Sequence, residues 1–394
     1  MRGRKLITIF ILILAYSSKT FAQQGISYDE ANAKSFELYE KADWKALLEY
    51  GKEYVTASPD FILLRLRMGY AAFMLNNFSE ALKQYDAVLI KDSYNETAHY
   101  YSWLCRKYLN QSELADAQLK YFSKEMKEKE KLQSFAVTQV GTEVSYKNTQ
   151  LQSRGDGLYA RVDLHTRLFP NVNMYHAVAL FNQTIAEPKL TAVTKNNSIA
   201  INQKEYYNKT IINLTKKWQL VAAYHYLYTP FNNYVYNNHI GLAGLKYNSH
   251  YFTIQADAIV GNLTDTSLQQ YNAQLTVNPL GNMNLYSIST GSFSNRNNKS
   301  SFNFKQVLGA KLLKFLWLEG NVTLGSFSNF MENDALYVYN AIDRNLFKAG
   351  ATAYITISPK LILQLGYTFE QRELYKSINP FNQHSITGGL SCKF

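Results

Sequence analysis

The sequence predicts a two-part α+β chain: an N-terminal array of α-helical hairpins, then a C-terminal antiparallel transmembrane β-barrel of about fourteen strands. Three observations carry this. From 134 to 394 the chain reads as successive strands near the ~9–11 residues that cross a bilayer when tilted, each alternating apolar with polar side chains. From Ser27 to about Leu132 apolar residues recur instead at threes and fours, with Pro59 the one proline, as amphipathic helices require. Beyond the leader no apolar run reaches the ~20 residues of a spanning helix, so any membrane crossing must be made with strands.

At the start, Arg2, Arg4 and Lys5 precede apolar Leu6–Ala15, and Thr20-Phe21-Ala22 ends on a small residue. This pattern predicts a secretory signal peptide over 1–22, cut before Gln23. No cysteine lies near the cut to take a lipid, and Cys105 and Cys392 fall in different parts, so no structural disulfide is expected. Without the leader, 37 basic side chains stand against 30 acidic ones. Residues 23–131 hold 15 against 17 and the remainder 22 against 13, so the excess positive charge belongs to the barrel.

The helical part, 23–133, repeats internally. Trp44-Lys45-Ala46-Leu47, Phe78-Ser79-Glu80-Ala81-Leu82 and Ser112-Glu113-Leu114-Ala115 each open a helix, with Ala46, Ala81 and Ala115 35 and 34 residues apart. That is the period of tetratricopeptide repeats. Gly69 and Ala81 stand where helices approach closely, Phe78 and Tyr85 supply bulk, Asn76-Asn77 turns the chain, and the third copy keeps Ala115. Such arrays offer a concave groove, typically to another protein. A periplasmic protein partner is therefore expected; a rigid spacer without a ligand is the alternative. The charged run Lys124–Lys131 reads as a solvated helix end.

In the barrel part, Leu158, Ala160, Val162, Leu164 and Leu168 alternate with Tyr159, Arg161, Asp163, His165 and Arg167. The pattern returns around Trp218–Tyr226, Phe252–Ala258 and Leu361–Phe369. An apolar face toward lipid and a polar face toward a lumen is the barrel arrangement. A soluble sandwich alternates too, but the connections favour a barrel: short turns (170–173, 216–217, 248–249, 279–282, 359–360) against longer polar loops such as Ser294 to Lys299. Glu187 to Lys204 reads as one long loop or an extra hairpin, leaving twelve or sixteen strands open. Aromatics at strand ends, among them Tyr226, Tyr228, Phe231, Tyr234, Tyr236, Phe327 and Phe330, suit an interfacial girdle facing outer-membrane lipid.

The alternation assigns Arg161, Asp163, His165, Arg167, Asp257, Lys305, Lys311, Glu319, Lys348, Glu370 and Arg372 to the lumen. Mixed signs suit either a plug of mutually paired charges or a wet channel whose field selects solutes. Arg167, Lys216, Lys217, Lys246, Lys314, Lys360 and Lys393 fall near one rim. They suit anionic headgroups or the guidance of an anionic polymer, with a polysaccharide as a candidate partner. Nucleic acid is not expected, since no binding motif is present.

The last strand, His384 to Phe394, places Thr387 and Gly389 on one face and ends on an aromatic. Thr387, Gly389 and Phe394 resemble the signal read by the barrel-assembly machinery, although Cys392 stands where a large apolar residue is usual. Leader, short repeat array and terminal barrel together resemble the YaiO-type outer-membrane β-barrel family, which implies outer-membrane residence with the helices in the periplasm. The combination is also similar to exopolysaccharide-secretion porins, although those carry longer arrays and larger barrels.

Catalytic groupings are sparse. His384-Ser385 point to opposite faces of one strand, and His225 has no serine two residues away. Nucleophilic catalysis needs the base within hydrogen-bond reach of the hydroxyl. Whether Glu319 and Glu370 meet cannot be read from separate strands. No metal-ligand spacing and no glycine-rich phosphate loop occurs, so neither metal nor cofactor is expected. The expectation is a non-enzymatic barrel supporting surface-polysaccharide or envelope export as a channel or adaptor. The competing one is an enzyme modifying lipid or saccharide at the barrel rim.

Overall fold

The computed structural model describes residues 27–186, 198–231, 234–375 and 377–394. The expected leader over 1–22 lies outside them, as does 187–197 of the ambiguous segment. The helices are α1 (Tyr28–Glu40), α2 (Trp44–Ala57), α3 (Ile62–Met74), α4 (Phe78–Lys91), α5 (Glu96–Tyr108), α6 (Ser112–Asp116) and α7 (Lys124–Lys129). A 3-10 turn, Ala117–Tyr121, precedes α7.

Local chemistry sets their limits. Side chains of Ser27, Asp43, Asn77, Asn95 and Ser123 accept from backbone N–H groups of the first turn, groups that otherwise lack a partner. Left-handed Ala42, Asn76 and Asn110 end α1, α3 and α5 at intervals of 34 residues, so each hairpin turns the same way. Ala81, Tyr85 and Ala115 are fully buried and Phe78 nearly so. Gly69 lies against the Tyr85 ring, 2.7 Å from where a Cβ would stand. Gly69, Phe78, Ala81, Tyr85 and Ala115 thus all lie in the interior of the helical region.

Fourteen strands follow: β1 (Ala136–Thr149), β2 (Arg154–Phe169), β3 (Val172–Ile185), β4 (Ile199–Asn213), β5 (Trp218–Phe231), β6 (Tyr234–Asn248) and β7 (Phe252–Leu263). The others are β8 (Thr266–Val277), β9 (Leu285–Arg296), β10 (Lys299–Leu313), β11 (Leu316–Glu332), β12 (Tyr337–Ser358), β13 (Leu361–Glu373) and β14 (Pro380–Lys393). Each pairs antiparallel with its sequence neighbours, and β14 pairs with β1 from Gln139↔Lys393 to Thr149↔Gln383, closing the barrel. At this seam Thr387 Oγ1 and Ser145 Oγ are 2.9 Å apart and the Phe394 amide donates to the Thr138 carbonyl. A Cβ on Gly389 would stand 3.0 Å from the Thr142 carbonyl oxygen.

The exterior is apolar, with exposed Val162, Val178, Leu180, Leu245, Leu308, Leu324 and Leu365. Phe169, Trp218, Phe252, Phe315 and Phe394 ring the end nearest the helices, the proximal end, and Tyr146, Tyr234, Phe293 and Phe302 the distal end. Outward histidines are met across the strands: Tyr224 by His239 at 2.7 Å and Tyr367 by His384 at 2.7 Å.

Two connections differ from expectation. Ser294–Lys299 is no polar loop: β9 runs to Arg296, β10 starts at Lys299, and Asn297-Asn298 form a two-residue turn with φ of 51° and 58°. Asparagine tolerates the left-handed region, and such turns match strand twist. The stretch 279–282 belongs to a longer β8–β9 connection that grips the helices. Gly281 has φ 66°, and a Cβ there would collide with the Asn77 amide oxygen. Its carbonyl accepts from the Ser79 amide at 3.0 Å, and Asn282 Nδ2 donates to the Asn76 carbonyl at 2.9 Å.

Further contacts seat the helices on the proximal mouth. His250 Nε2 lies 2.9 Å from Asp86 Oδ2, Arg106 donates to the Lys216 carbonyl at 3.3 Å, and Asn213 donates to the Glu113 carbonyl at 2.6 Å. Burial alone would lift the Asp86 carboxyl, but the His250 hydrogen bond and the Arg106 charge hold it below its ordinary value. Arg167, the proximal end of the β2 ladder, donates to Asp116 at 2.5 Å and to the Gln133 carbonyl at 2.8 Å. Burial outweighs Arg167 at Asp116, whose pKa is raised. Asp116→Ala leaves the Arg167 guanidinium buried without its carboxylate, a loss of about 3–5 kcal/mol for a broken buried pair. Limited proteolysis of the full chain should then cut faster between Leu132 and Phe135, while the barrel band itself survives; an unchanged rate means docking does not depend on this pair.

Candidate functional site

The lumen is the candidate site, and its geometry is set by the connection between β11 and β12. Both strands are long, and at Gly325 (φ 113°) the hairpin leaves the wall. A side chain there would strike the Phe302 carbonyl. Pairing resumes beyond register shifts at Leu324/Phe327 and Phe327/Asn329, ending at Glu332↔Tyr337. The tip, Asn333-Asp334-Ala335, has φ values of 53°, 56° and 64°. It folds into the barrel.

One half of the lumen is dry. Met331 and Ala335 pack on the inner faces of β3 to β8, against Tyr207, Val221, Leu227, Ile240, Leu242 and Ile259. Polar wall atoms meet the tip's backbone. Tyr207 Oη donates to the Asp334 carbonyl at 2.8 Å, and His225 Nδ1 to the Ala335 carbonyl at 2.7 Å. Gln270 exchanges two hydrogen bonds with Met331, at 2.8 and 3.1 Å. The Asp334 carboxylate takes Lys209 at 3.0 Å and Gln255 at 2.7 Å. The tip's exposed peptide groups and charge are thus answered, as a buried loop requires.

The other half holds a cavity of about 380 Å³ between the hairpin and the inner faces of β1 to β4 and β10 to β14. Its charges are largely paired. Arg161 lies 3.3 Å from both Glu143 and Asp163 and donates to Tyr337 Oη at 2.8 Å. Glu332 on the hairpin takes Lys348 at 2.9 Å and Lys305 at 3.4 Å. Glu370 accepts from Arg372 at 3.1 Å, Gln383 at 2.6 Å and Asn345 at 2.9 Å. Near the distal end Asp343 takes Arg154 at 2.6 Å. Buried charges are tolerable when so matched.

All eleven residues assigned to the lumen have the inward parity. His165 Nε2 stands 3.4 Å from Asp163, continuing the ladder. Asp257 is hydrogen-bonded by Asn272 and Gln255, and Lys311 lies over the Trp317 ring. Glu319 and Glu370 line the same cavity, but Glu319 accepts from Tyr286 Oη at 2.8 Å and has its own surroundings. At the proximal rim Lys216, Lys217, Lys314, Lys360 and Lys393 are exposed. Lys246 is not among them: buried Ile240, Leu242 and Asn248 share its parity on β6, so the pleat turns it inward.

Two residues expected in the aromatic girdle are elsewhere. Phe327 and Phe330 are buried in the hairpin stem, rings 4.8 Å apart. The dry patch also went unread, although it left a signal. In β5 the inward positions Val221, Ala223 and Leu227 are as apolar as the outward ones, and a wall facing water would not need that.

No family model matches the chain, and no curated protein matches it. Solved structures do. Omp33, an outer-membrane protein of Acinetobacter baumannii, aligns over 66% of this chain and 99% of its own at 9% identity and a TM-score of 0.39. A FadL homologue from Pseudomonas aeruginosa aligns over 71% and 92%, at 7% identity and 0.43. A mutant of TodX, a monoaromatic hydrocarbon channel, aligns over 66% and 90%, at 8% identity and 0.45.

The docking of the tip is open to measurement. Asp334→Lys places a cation beside Lys209, and amide exchange across 331–338 should rise about tenfold or more as the tip opens locally, with the wall strands unchanged. Exchange that stays slow would mean the apolar contacts alone hold the tip.

Proposed function

We propose that this chain is a non-enzymatic outer-membrane channel closed by its own β11–β12 hairpin, with the helices capping a periplasmic mouth. The observation that carries the reading is the hairpin itself: a connection withdrawn from solvent and seated against a wall patch made to receive it. A barrel of this strand number is wide enough to leave water inside unless something fills it. Here one segment fills half and leaves a polar cavity beside it.

Membrane residence is supported by the apolar exterior, its two aromatic bands, and strands of 12 residues or more. At ~3.3 Å per residue and a tilt of ~40°, twelve residues span about 30 Å, the thickness of bilayer hydrocarbon. Thr387, Gly389 and Phe394 meet β1 at the closing seam, a fitting place for a signal to the barrel-assembly machinery. The leader would then put the helices in the periplasm. Their 34-residue recurrence supports a tetratricopeptide-like and YaiO-type reading, in which part of the array grips the barrel and exposed Tyr28, Phe36, Leu63, Ile90 and Tyr94 remain for a periplasmic protein.

The non-catalytic reading rests on where the lumenal histidines are spent. His225 faces the Ala335 carbonyl and Glu205, and His165 faces Asp163 and Gln139. Neither contact is to a hydroxyl nucleophile. For the cargo, the cavity favours small polar solutes; an exported polysaccharide would need the hairpin withdrawn.

Planar-bilayer recording tests this. The wild-type chain should show small or rare openings, and replacing 331–338 by Gly-Ser-Gly should raise conductance about twofold or more, because the tip obstructs the lumen. A correctly folded replacement variant as silent as the wild type would remove the channel reading.

A further inference from the structure

Among the cations lining the cavity, four are answered by carboxylates: Arg161 by Glu143 and Asp163, Lys305 and Lys348 by Glu332, and Arg372 by Glu370. Lys147 differs. Among the described residues its ammonium has no carboxylate within ion-pairing distance and stands instead over the Phe181 ring, 5.2 Å from the centroid. Gly157, its partner across β1 and β2, leaves room for both: a Cβ there would already touch Lys147 and Phe181 at 3.4 Å. The charges within electrostatic reach of Lys147 balance, Glu370 and Glu205 against Arg372 and Lys348, and Glu370 and Lys348 are already held by Arg372 and Glu332.

Around it the inner wall presents neutral donors and acceptors. Ser385 faces Lys147 across the seam and Thr368 follows on β13, while Gln183, Gln203 and Asn340 complete the cavity lining near the hairpin. A partly buried cation with no carboxylate in direct contact has hydrogen-bonding capacity to spare, and an anion reaching it from the cavity can form a charge-assisted hydrogen bond there. The amides and hydroxyls nearby match a solute rich in hydroxyls, and the Phe181 and Tyr159 rings match its C–H faces. The volume is at the small end of ligand pockets, about 300–1,000 Å³.

We propose that this cavity binds a small hydroxylated carboxylate, of the chemical class of an acidic monosaccharide, with its carboxylate on Lys147. The site deepens the channel reading in one respect only: solvent must reach the lumen.

The test uses the full-length protein in detergent with glucuronate and glucose as probes, followed by titration calorimetry and ligand-observed NMR. Glucuronate should bind more tightly than glucose. Lys147→Gln should weaken glucuronate about tenfold, as loss of a hydrogen bond to a charged group does, and leave glucose unchanged, while Lys147→Arg keeps the preference. Retained heat-dependent gel mobility shows that both variants are folded. No glucuronate binding, equal binding of the two probes, or an unaffected Lys147→Gln variant each overturns the proposal. Conductance of the tip-replacement variant is read separately. A conducting barrel that ignores glucuronate removes the site and keeps the channel; a silent barrel that binds it does the reverse.

Discussion

The pairing of the first strand with the last is the constraint on which the rest depends. In hydrocarbon an unpaired N–H or C=O has no water to turn to, so a sheet there must have no edge. Eleven register pairs between β1 and β14 remove the edge, down to the Phe394 amide on the Thr138 carbonyl. Once the sheet is closed, each residue's parity decides which solvent it meets. Thr387 and Ser145 can then share a hydrogen bond at the seam, while Ile386, one residue away, lies exposed on the apolar side.

Closure at fourteen strands creates a second problem, because the cylinder is too wide for wall side chains alone to fill. The β11–β12 hairpin answers it unevenly. Where it touches β3 to β8, the wall offers aliphatic side chains and a few hydrogen bonds to the tip backbone. Where it faces β10 and β12 it contributes Glu332, which joins Lys305 and Lys348 in a buried cluster. The left-handed conformation of Ala335 is costly for a residue with a Cβ, about 1–2 kcal/mol. Its burial against the wall and the hydrogen bond from His225 to its carbonyl offset that cost. The tip is therefore held by contacts that exist only while it is inside.

Much of this was legible in the sequence, because a strand has one strict period. Alternation along β2, β7, β10, β11, β12 and β13 placed Arg161, Asp257, Lys305, Glu319, Lys348 and Glu370 on the inner face without any knowledge of neighbours. Lys246 lies near the proximal turn, as its position in the sequence indicates, and its parity on β6 turns it inward. Asn297-Asn298 was legible too, since paired asparagines between alternating runs favour a two-residue hairpin turn. The hairpin was not. Phe327 and Phe330 lie in a run that alternates like any wall strand, and only the positive φ of Gly325 reveals that the chain has left the wall. Nor does anything local in Pro279–Asn282 tell that its glycine must meet Asn77.

The cap and the hairpin share a wall, and this gives the helices a physical route to the lumen. Glu113 on α6 accepts from Asn213 on β4, which accepts from Gln219 on β5, which accepts from Asn248 on β6, which accepts from Thr253 on β7. This row of amides and hydroxyls crosses the proximal mouth just beneath the helices. One pleat further in on β7, Gln255 holds the Asp334 carboxylate, and on β4 Lys209 holds its other oxygen. The strands gripped by the cap are thus the strands that grip the tip. Proximity alone does not make them coupled, since an effector shifts an equilibrium only by its unequal affinity for the two states. The tip supplies two such states, seated and withdrawn. A ligand of the helices that pulled Asn213 out of line would weaken the amide row, and with it the wall presenting Lys209 and Gln255, only in the seated state.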